Sequence, residues 1–185
     1  PNEELPAGRP LKTTPSYVAQ KALGARFGVV WGLESPQYFA TGEPDFVEPP
    51  TLRRSAADRF VAAEVAATRG AAGLLDTGVY ARYEICGPGA GTWLDHLLAS
   101  RLPAVGRLRL APMLNTAGRL MGDLTVTRLD DDRYWLVGSY YLQEWHLRWF
   151  RDHLPASGVE IENLSESWLG FSLSGPRARD ILAAL

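Results

Sequence analysis

The residue best placed to do chemistry is Asp123, a single carboxylate in an otherwise largely apolar segment. Residues 111–129, APMLNTAGRLMGDLTVTRL, predict two strands around a tight turn. Alternation places Asp123 on the more polar face of the second strand and Gly122, a position open to close approach, on the other. Such a carboxylate can hold or take up a proton of a bound ligand. A lone strand aspartate is more often an exposed charge that discourages aggregation, so spacing leaves both interpretations open.

The other reactive side chains give weaker signals. His96, His146 and His153 fall on two predicted helices without metal-ligand spacing to Cys or Glu, so we expect no metal site. His146 is expected to be a half-buried residue on an apolar helix stripe. Cys86 is interpreted as a small core residue rather than a nucleophile. The run GPGAG from Gly87 lacks the G-x-G-x-x-G pattern and a Lys-Ser/Thr pair, which favours a helix entry over a phosphate loop.

Length and composition are typical of a globular protein with one domain, or one domain and part of another. The chain has 185 residues, 46% of them hydrophobic, and a formal net charge of -2 from 19 basic and 21 acidic residues. This mixed charge provides no basic stripe for nucleic acid, and no apolar run is long enough to span a membrane. The single cysteine excludes an internal disulfide framework and is compatible with a reducing compartment. We expect a cytoplasmic protein.

Periodicity predicts the elements that position Asp123. Residues 1–15, rich in Pro, Gly and charge, predict an extended linker arm, and residues 16–185 form the domain. We expect helices at 16–23, at 55–69 behind a Ser55/Asp58 capping pair, from residue 89, and around 142–150, where Trp145 and Trp149 join the apolar stripe. Strands are expected at 74–86, on both sides of the 115–118 turn, at 133–138, and near 159–164 and 168–174. This order predicts an α+β fold with a largely antiparallel sheet and helices on one face.

The sequence contains one internal repeat. ICGPGAGTWLDHLL, from Ile85, and LSGPRARDILAAL, from Leu173, share a strand, a Gly-Pro break and a leucine-rich helix start. The second copy ends in apolar residues without a polar cap or a Gly signal. We therefore expect more polypeptide to follow Leu185.

Several segments resemble, in order, the tetrahydrofolate-binding family of the glycine cleavage T-protein, or aminomethyltransferase. They cover nearly the whole chain and read GRPLKTTP, ALGARFG, WGLESPQYFA, VAAEVAATRGAAGLLDTGVYARYEICGPGA, PMLNTAGRLMGDLTVTRL and FSLSGPRA. The leader GRPLKTTP and the pattern around Tyr38 and Phe39 are most similar to the carboxy-terminal half of dimethylglycine and sarcosine dehydrogenases and oxidases. The resemblance implies the N-terminal portion of the aminomethyltransferase folate-binding fold.

The resemblance also implies a set of site residues. The aspartate beside the folate, which acts as the family's main catalytic carboxylate, falls on Asp123. The folate pocket uses positions that match Tyr80, Leu110, Val137 and Ser139. The family's acidic residue that reads the pterin edge falls beyond Leu185, so the resemblance implies an incomplete site in this chain.

The chain departs from the family pattern at a few of these positions. The frequent Asp-Asp pair is Gly122-Asp123 here, which removes the first acid and keeps the one that faces folate. Leu33 stands where Trp is usual, with Glu34 in register. Ser139 replaces a frequent Asn.

The activity implied by the resemblance couples two cofactors. In the fused relatives, FAD in an upstream domain oxidises an N-methyl amine, and tetrahydrofolate captures the one-carbon unit as 5,10-methylenetetrahydrofolate. We expect a partly buried Asp123 carboxylate to orient the folate amine and to hold its proton. The expected partners are folate, a small N-methyl amine, the flavin domain and further carboxy-terminal folate-domain segments.

Two other functions stay open at this point. A folate-binding or purely structural module, docking a flavin domain or other subunits, would explain the departures at Gly122 and Leu33. A stand-alone aminomethyl- or methyltransferase acting on a lipoyl carrier or a sulfonium compound would need no flavin. A folate titration separates the first of these from an enzyme, and the colour and mass of the complete protein identify the second.

Overall fold

Residues 6–185 are described by a computed structural model, which divides the chain into two units of helices and antiparallel strands. The first unit contains Pro1–Gly78 and Leu169–Leu185, and the second contains Val79–Trp168. All pairings between the strands are antiparallel, which confirms the predicted α+β class. No helix in the described part of the chain has the length and apolar character needed to cross a membrane.

The first unit holds two separate pairs of strands. Its elements are α1 (Tyr17–Ala22), β1 (Ala25–Val30), β2 (Leu33–Phe39), α2 (Asp58–Gly70), β3 (Gly73–Asp76), β9 (Phe171–Ser174) and α5 (Ala178–Ala183). Strands β1 and β2 form a hairpin, and β3 pairs with β9. A small aromatic core joins the hairpin to α2, with Tyr38 stacked on Phe60 at 6.0 Å between ring centroids.

The β1–β2 hairpin is absent from the elements predicted by periodicity, because a register shift at Arg26 and Phe27 interrupts its alternation. The predicted linker arm contributes to it: Lys12 N donates to Gly32 O at 3.0 Å. Arg9 also forms a two-pronged ion pair with Glu34, at 2.8 and 2.6 Å, where Glu34 is 2% exposed. Glu34, a residue of the family resemblance, therefore anchors the arm. Residues 1–5 of that arm lie outside the described residues.

The second unit is built on one five-stranded sheet. Its elements are β4 (Tyr80–Cys86), α3 (Ala90–Leu97), β5 (Leu108–Leu114), β6 (Leu120–Asp130), β7 (Arg133–Ser139), α4 (Gln143–Asp152) and β8 (Glu160–Asn163). The strands lie in the order β5-β6-β7-β4-β8. The buried side chains of the sheet pack in one cluster with residues of α3 and α4, including Leu94 and Phe150, both 0% exposed. Helices thus cover one face, as predicted.

Four sequence-based expectations need correction. The expected strand at 74–86 is two strands in different sheets, because a turn at Gly78 and Val79 separates them; Gly78 N donates to Asp76 Oδ1 at 2.5 Å. The expected strands at 159–164 and 168–174 also belong to different sheets. The prediction that Trp145 packs in the core is wrong, since this residue is 42% exposed. Helix α2 begins at Asp58, three residues later than expected.

The internal repeat is confirmed in the backbone. Strand β4 leads through Gly87 into α3, and β9 leads through Gly175 into α5, with φ +117° at both glycines. In each copy the residue two positions later donates to a carbonyl just before the neighbouring strand: Gly89 N to Gly158 O at 2.8 Å, and Arg177 N to Ala71 O at 2.9 Å. A side chain at either glycine would meet a carbonyl oxygen at 2.5 Å. The same packing therefore requires glycine twice.

Candidate functional site

The register of the five-stranded sheet brings all five predicted site residues to one face. Directly opposed residues of antiparallel strands point to the same side. Leu110 opposes Thr125, Thr125 opposes Val137, and Tyr80 opposes Ser139. Asp123 is two residues from Thr125, so it shares that side. We call this the open face, because the helices pack on the other side of the sheet.

Asp123 lies near the end of the sheet with its side chain exposed. It opposes Pro112 in β5, while the ladder between β6 and β7 begins only at Thr125. The expected alternation of β6 is confirmed at Gly122, Leu124 and Val126, which are buried on the helix side. The side chain of Asp123 is thus less buried in this chain than we expected.

The surroundings of Asp123 on the open face are mainly apolar. Leu108 is 67% exposed, Leu110 60% and Tyr80 46%, while Val137 is half-buried. Ser139, at the end of β7, is exposed. Arg82, which opposes Val137, is 8% exposed and donates from Nη1 to Tyr80 O at 2.8 Å. The open face can therefore offer apolar contact and one accessible carboxylate to a flat ligand.

Sequence reasoning missed an aromatic pair on this face. Trp135 opposes Thr127 in the register, and its ring lies nearly perpendicular to that of Trp168, at 78° and 5.1 Å between centroids. Trp135 Nε1 donates to Glu84 at 2.6 Å, and Arg133 donates to the same oxygen at 2.8 Å. The hydrogen bond from Arg133 holds the pKa of Glu84 below its ordinary value. The two-residue spacing from Trp135 to Val137 was a signal that could have placed Trp135 here.

Behind Asp123, on the helix side, lies the imidazole of His146. It is 0% exposed, more buried than we expected, and contacts Gly122. The close approach at Gly122 was expected from a ligand or another backbone, but a side chain of the same unit makes it instead. The Tyr83 hydroxyl donates to Gln143 O at 3.2 Å and lies within hydrogen-bond distance of His146 Nδ1, at 3.3 Å. Nε2 has no hydrogen-bond partner among the described residues.

Burial lowers the pKa of His146 from 6.5 to about 4, and the Asp123 charge opposes this shift. Between pH 6.5 and 4 the unfolded chain binds a proton at His146, whereas the folded chain does not. The free energy of unfolding therefore has its full value, as far as His146 is concerned, above pH 6.5, and it decreases as the pH falls towards 4. In urea unfolding over this pH range, we expect the free energy of unfolding of His146→Asn to depend less on pH than that of the wild type. The two slopes should differ by up to about 1.4 kcal/mol per pH unit. Parallel pH profiles would contradict the buried neutral imidazole.

Other candidate groups do not join this site. In the described ranges, no three His, Cys, Asp or Glu side chains stand where they could share a metal ion. Cys86 is half-buried, and burial raises the pKa of its thiol, which disfavours the thiolate. Trp93, on α3, is 7% exposed and donates to His153 O at 2.7 Å, in keeping with the packing role predicted for it.

Comparisons with known proteins agree with the fold. The chain is 28% identical to mouse (Mus musculus) dimethylglycine dehydrogenase over its whole length, and covers 22% of that protein. It is also 28% identical to the mouse pyruvate dehydrogenase phosphatase regulatory subunit, with the same coverage. The crystal structure of glycine cleavage system aminomethyltransferase T from Bartonella henselae matches 94% of this chain and 43% of its own, with TM-score 0.74 and 25% identity.

The family model described as the GCVT N-terminal domain matches residues 16–185. This range includes every residue of the open face and both copies of the internal repeat. The chain spans less than half the length of the relatives described above. It belongs to the GCVT N-terminal domain family, as an aminomethyltransferase-like domain related to dimethylglycine dehydrogenase.

Proposed function

We propose that this chain is a tetrahydrofolate-binding module that captures a one-carbon unit from an N-methyl amine oxidised by a fused FAD domain, giving 5,10-methylenetetrahydrofolate. The observation that carries the proposal is the convergence of Asp123, Tyr80, Leu110, Val137 and Ser139 on the open face. Strands that are distant in sequence supply them. The relation to a dimethylglycine dehydrogenase over the whole chain supports N-methyl amine chemistry.

The open face fits a reduced folate in its chemistry. Leu108, Leu110 and Tyr80 expose apolar and aromatic surface that a flat ring can cover. Asp123 supplies a carboxylate, an acceptor-only group suited to the N–H groups of a pteridine. Bound tetrahydrofolate would supply the amine that accepts the one-carbon unit.

Asp123 and the apolar side chains of the open face then have different roles. Asp123 orients the reacting N–H and holds its proton at the carboxylate, while the apolar side chains exclude water from that proton. Because Asp123 is exposed in this chain, the bound ligand must cover it before its charge acts in a water-poor setting. We also propose that polypeptide outside this chain completes the site with the acidic residue for the pterin edge.

The partners follow from the same proposal. FAD belongs to an upstream domain, and the folate domain extends beyond this chain, in line with the 22% coverage of the mouse dehydrogenase. The cytoplasmic location stays a prediction, because that relative is a mitochondrial protein.

A titration of the complete protein tests the proposal. Tetrahydrofolate is added with and without an N-methyl amine such as dimethylglycine, and bound folate, methylene-folate and free formaldehyde are measured. We expect saturable folate binding and a shift of product from formaldehyde to methylene-folate. Formaldehyde yield independent of folate would reject the function.

The match to a phosphatase regulatory subunit favours a second candidate, a non-catalytic docking module. Such a module would neither bind folate nor change the product ratio, so the same titration distinguishes the two. A colourless complete protein that binds folate and transfers the unit without oxidising an amine would instead identify the stand-alone transferase.

Leu110 provides a test of the surface that contacts the ligand. Its side chain is 60% exposed, so Leu110→Ser removes apolar contact with folate at little cost to the fold. We expect the Kd for tetrahydrofolate to rise about 5-fold and the Tm to stay unchanged. Leu120→Ser is the matched control, because Leu120 is 65% exposed at the hairpin turn, outside the open face. Equal effects of both substitutions on Kd would contradict this placement of the ligand.

A further inference from the structure

The proposed chemistry leaves the contact between His146 and Gly122 without a role. Gly122 immediately precedes Asp123 in β6, and its Cα faces the imidazole edge. A Cβ built at Gly122 would overlap His146 Nε2 and lie 3.3 Å from Cδ2. A second glycine flanks the ring, since a Cβ at Gly138 would lie 3.1 Å from Cε1. The ring therefore occupies a slot between two strands that only glycines leave open.

The ring is also fixed from behind. His146 Nδ1 lies 3.3 Å from the Tyr83 hydroxyl, which is itself tied to Gln143 O in the first turn of α4. Phe150, one turn further along α4, stacks on the imidazole at 6.3 Å between centroids. Because the imidazole is 0% exposed and has these contacts, it has no free space on the helix side into which it could move away from β6.

Near Asp123, β6 is paired with a neighbouring strand on one side only. The ladder with β7 starts at Thr125, so Asp123 lies beyond its end. On the other side, β5 is the edge strand, and its pairing with β6 shifts register next to Met113, the residue opposite Gly122. Packing from the helix side is thus a main constraint on the backbone at Gly122 and Asp123. It limits the position of this backbone along the direction perpendicular to the sheet, which we call the height of β6.

We propose that His146 is a positioning residue, whose imidazole sets the height of β6 at Gly122 and thereby the place of the Asp123 carboxylate on the open face. This role rests on the proposed function of Asp123. His146 touches no ligand: it lies on the opposite side of the sheet and acts through the backbone. The neutral state of His146 suits this role, since burial disfavours its protonation. A charged imidazolium would attract the Asp123 carboxylate and so compete with the ligand.

A double-mutant cycle in the complete protein tests the role. The variants are Gly122→Ala, His146→Ala and their combination, measured for kcat and KM of tetrahydrofolate-dependent transfer. Gly122→Ala should move β6 towards the open face, and His146→Ala should let it move towards the helices. Either shift displaces the Asp123 carboxylate, so each variant should lower kcat by about 10- to 100-fold and change KM by less than about 3-fold. In the double variant the new methyl group enters the space that the ring leaves. We expect its kcat to exceed that of either single variant, whereas independent effects would make it lower than both.

An activity-independent readout accompanies the kinetics. Amide hydrogen exchange of the peptide covering residues 121–125 should become faster in both single variants and recover in the double variant. Leu94→Ala is the control for general loss of packing, since Leu94 is 0% exposed in the same core but lies on α3. It should lower Tm and leave kcat unchanged.

The outcomes separate this inference from the proposed function. Losses that multiply in the double variant, or wild-type exchange and kcat in His146→Ala, would overturn the positioning role and leave the folate function standing. A wild-type protein without folate-dependent transfer would reject the function. The exchange data would then still decide whether His146 sets the height of β6.

Discussion

Asp123→Asn should lower folate-dependent one-carbon transfer by at least about 100-fold in the complete protein. Asparagine keeps the size of the side chain but removes its negative charge and its capacity to hold a proton. Since Asp123 is exposed, the free energy of unfolding should change by no more than about 0.5 kcal/mol. The measurement is the ratio of methylene-folate to free formaldehyde during amine turnover, with a thermal unfolding curve of the same sample.

The matched control for Asp123 is Asp95, which is also exposed but lies on α3, on the helix side of the sheet. Asp95→Asn carries the same charge change and should leave the product ratio at its wild-type value. Equal methylene-folate yields from Asp123→Asn and the wild type would remove Asp123 from the mechanism. Equal losses in both variants would trace the effect to net charge.

Gly87→Ala should strongly lower the stability of the fold. Gly87 has φ +117°, and a Cβ there would lie 2.5 Å from Gly158 O, a backbone atom that cannot rotate away. The backbone conformation and the overlap together should cost about 3 kcal/mol. In a protein of this size the Tm should fall by about 6–12 °C, which a thermal melt followed by circular dichroism would measure.

Gly106 separates the two contributions at Gly87. It also has a positive φ, +73°, but a Cβ there would find no atom within 4 Å. Gly106→Ala should therefore cost only about 1 kcal/mol, from the backbone conformation alone. If both substitutions lowered Tm equally, the close approach of Gly87 to Gly158 would contribute nothing to stability.

The part of the fold with strong local signals was predictable. Asn115 Oδ1 accepts from the amides of Ala117 and Arg119, which is the turn chemistry that the sequence indicates. The alternation after this turn fixes which side chains of β6 enter the core, and the helix stripe of α3 buries Trp93 and Leu94 as expected. These elements depend on residues that are neighbours in sequence, so their pattern is visible without the structure.

The errors have physical causes as well. The alternation at 74–86 continues through Thr77 and Gly78, so periodicity alone does not reveal that two sheets share it. Trp145 lies on the apolar side of a helical projection, yet Gln143, His146, Leu147 and Phe150 are the residues that α4 buries. The sheet offers room for those four, and the indole remains 42% exposed. Which arc of a helix is buried depends on what packs against it.

By itself, the sequence determined the antiparallel α+β character, the Asp123 hairpin, the Gly-Pro repeat and the family. Only the tertiary structure decided that Tyr80, Leu110, Val137 and Ser139 share a face with Asp123, because strand order and register join segments up to 59 residues apart. It also decided that Gly122 faces His146, 24 positions later, since this contact exists only once α4 packs on the sheet. Local patterns define which side of a strand a residue takes, but pairing between distant strands defines its neighbours.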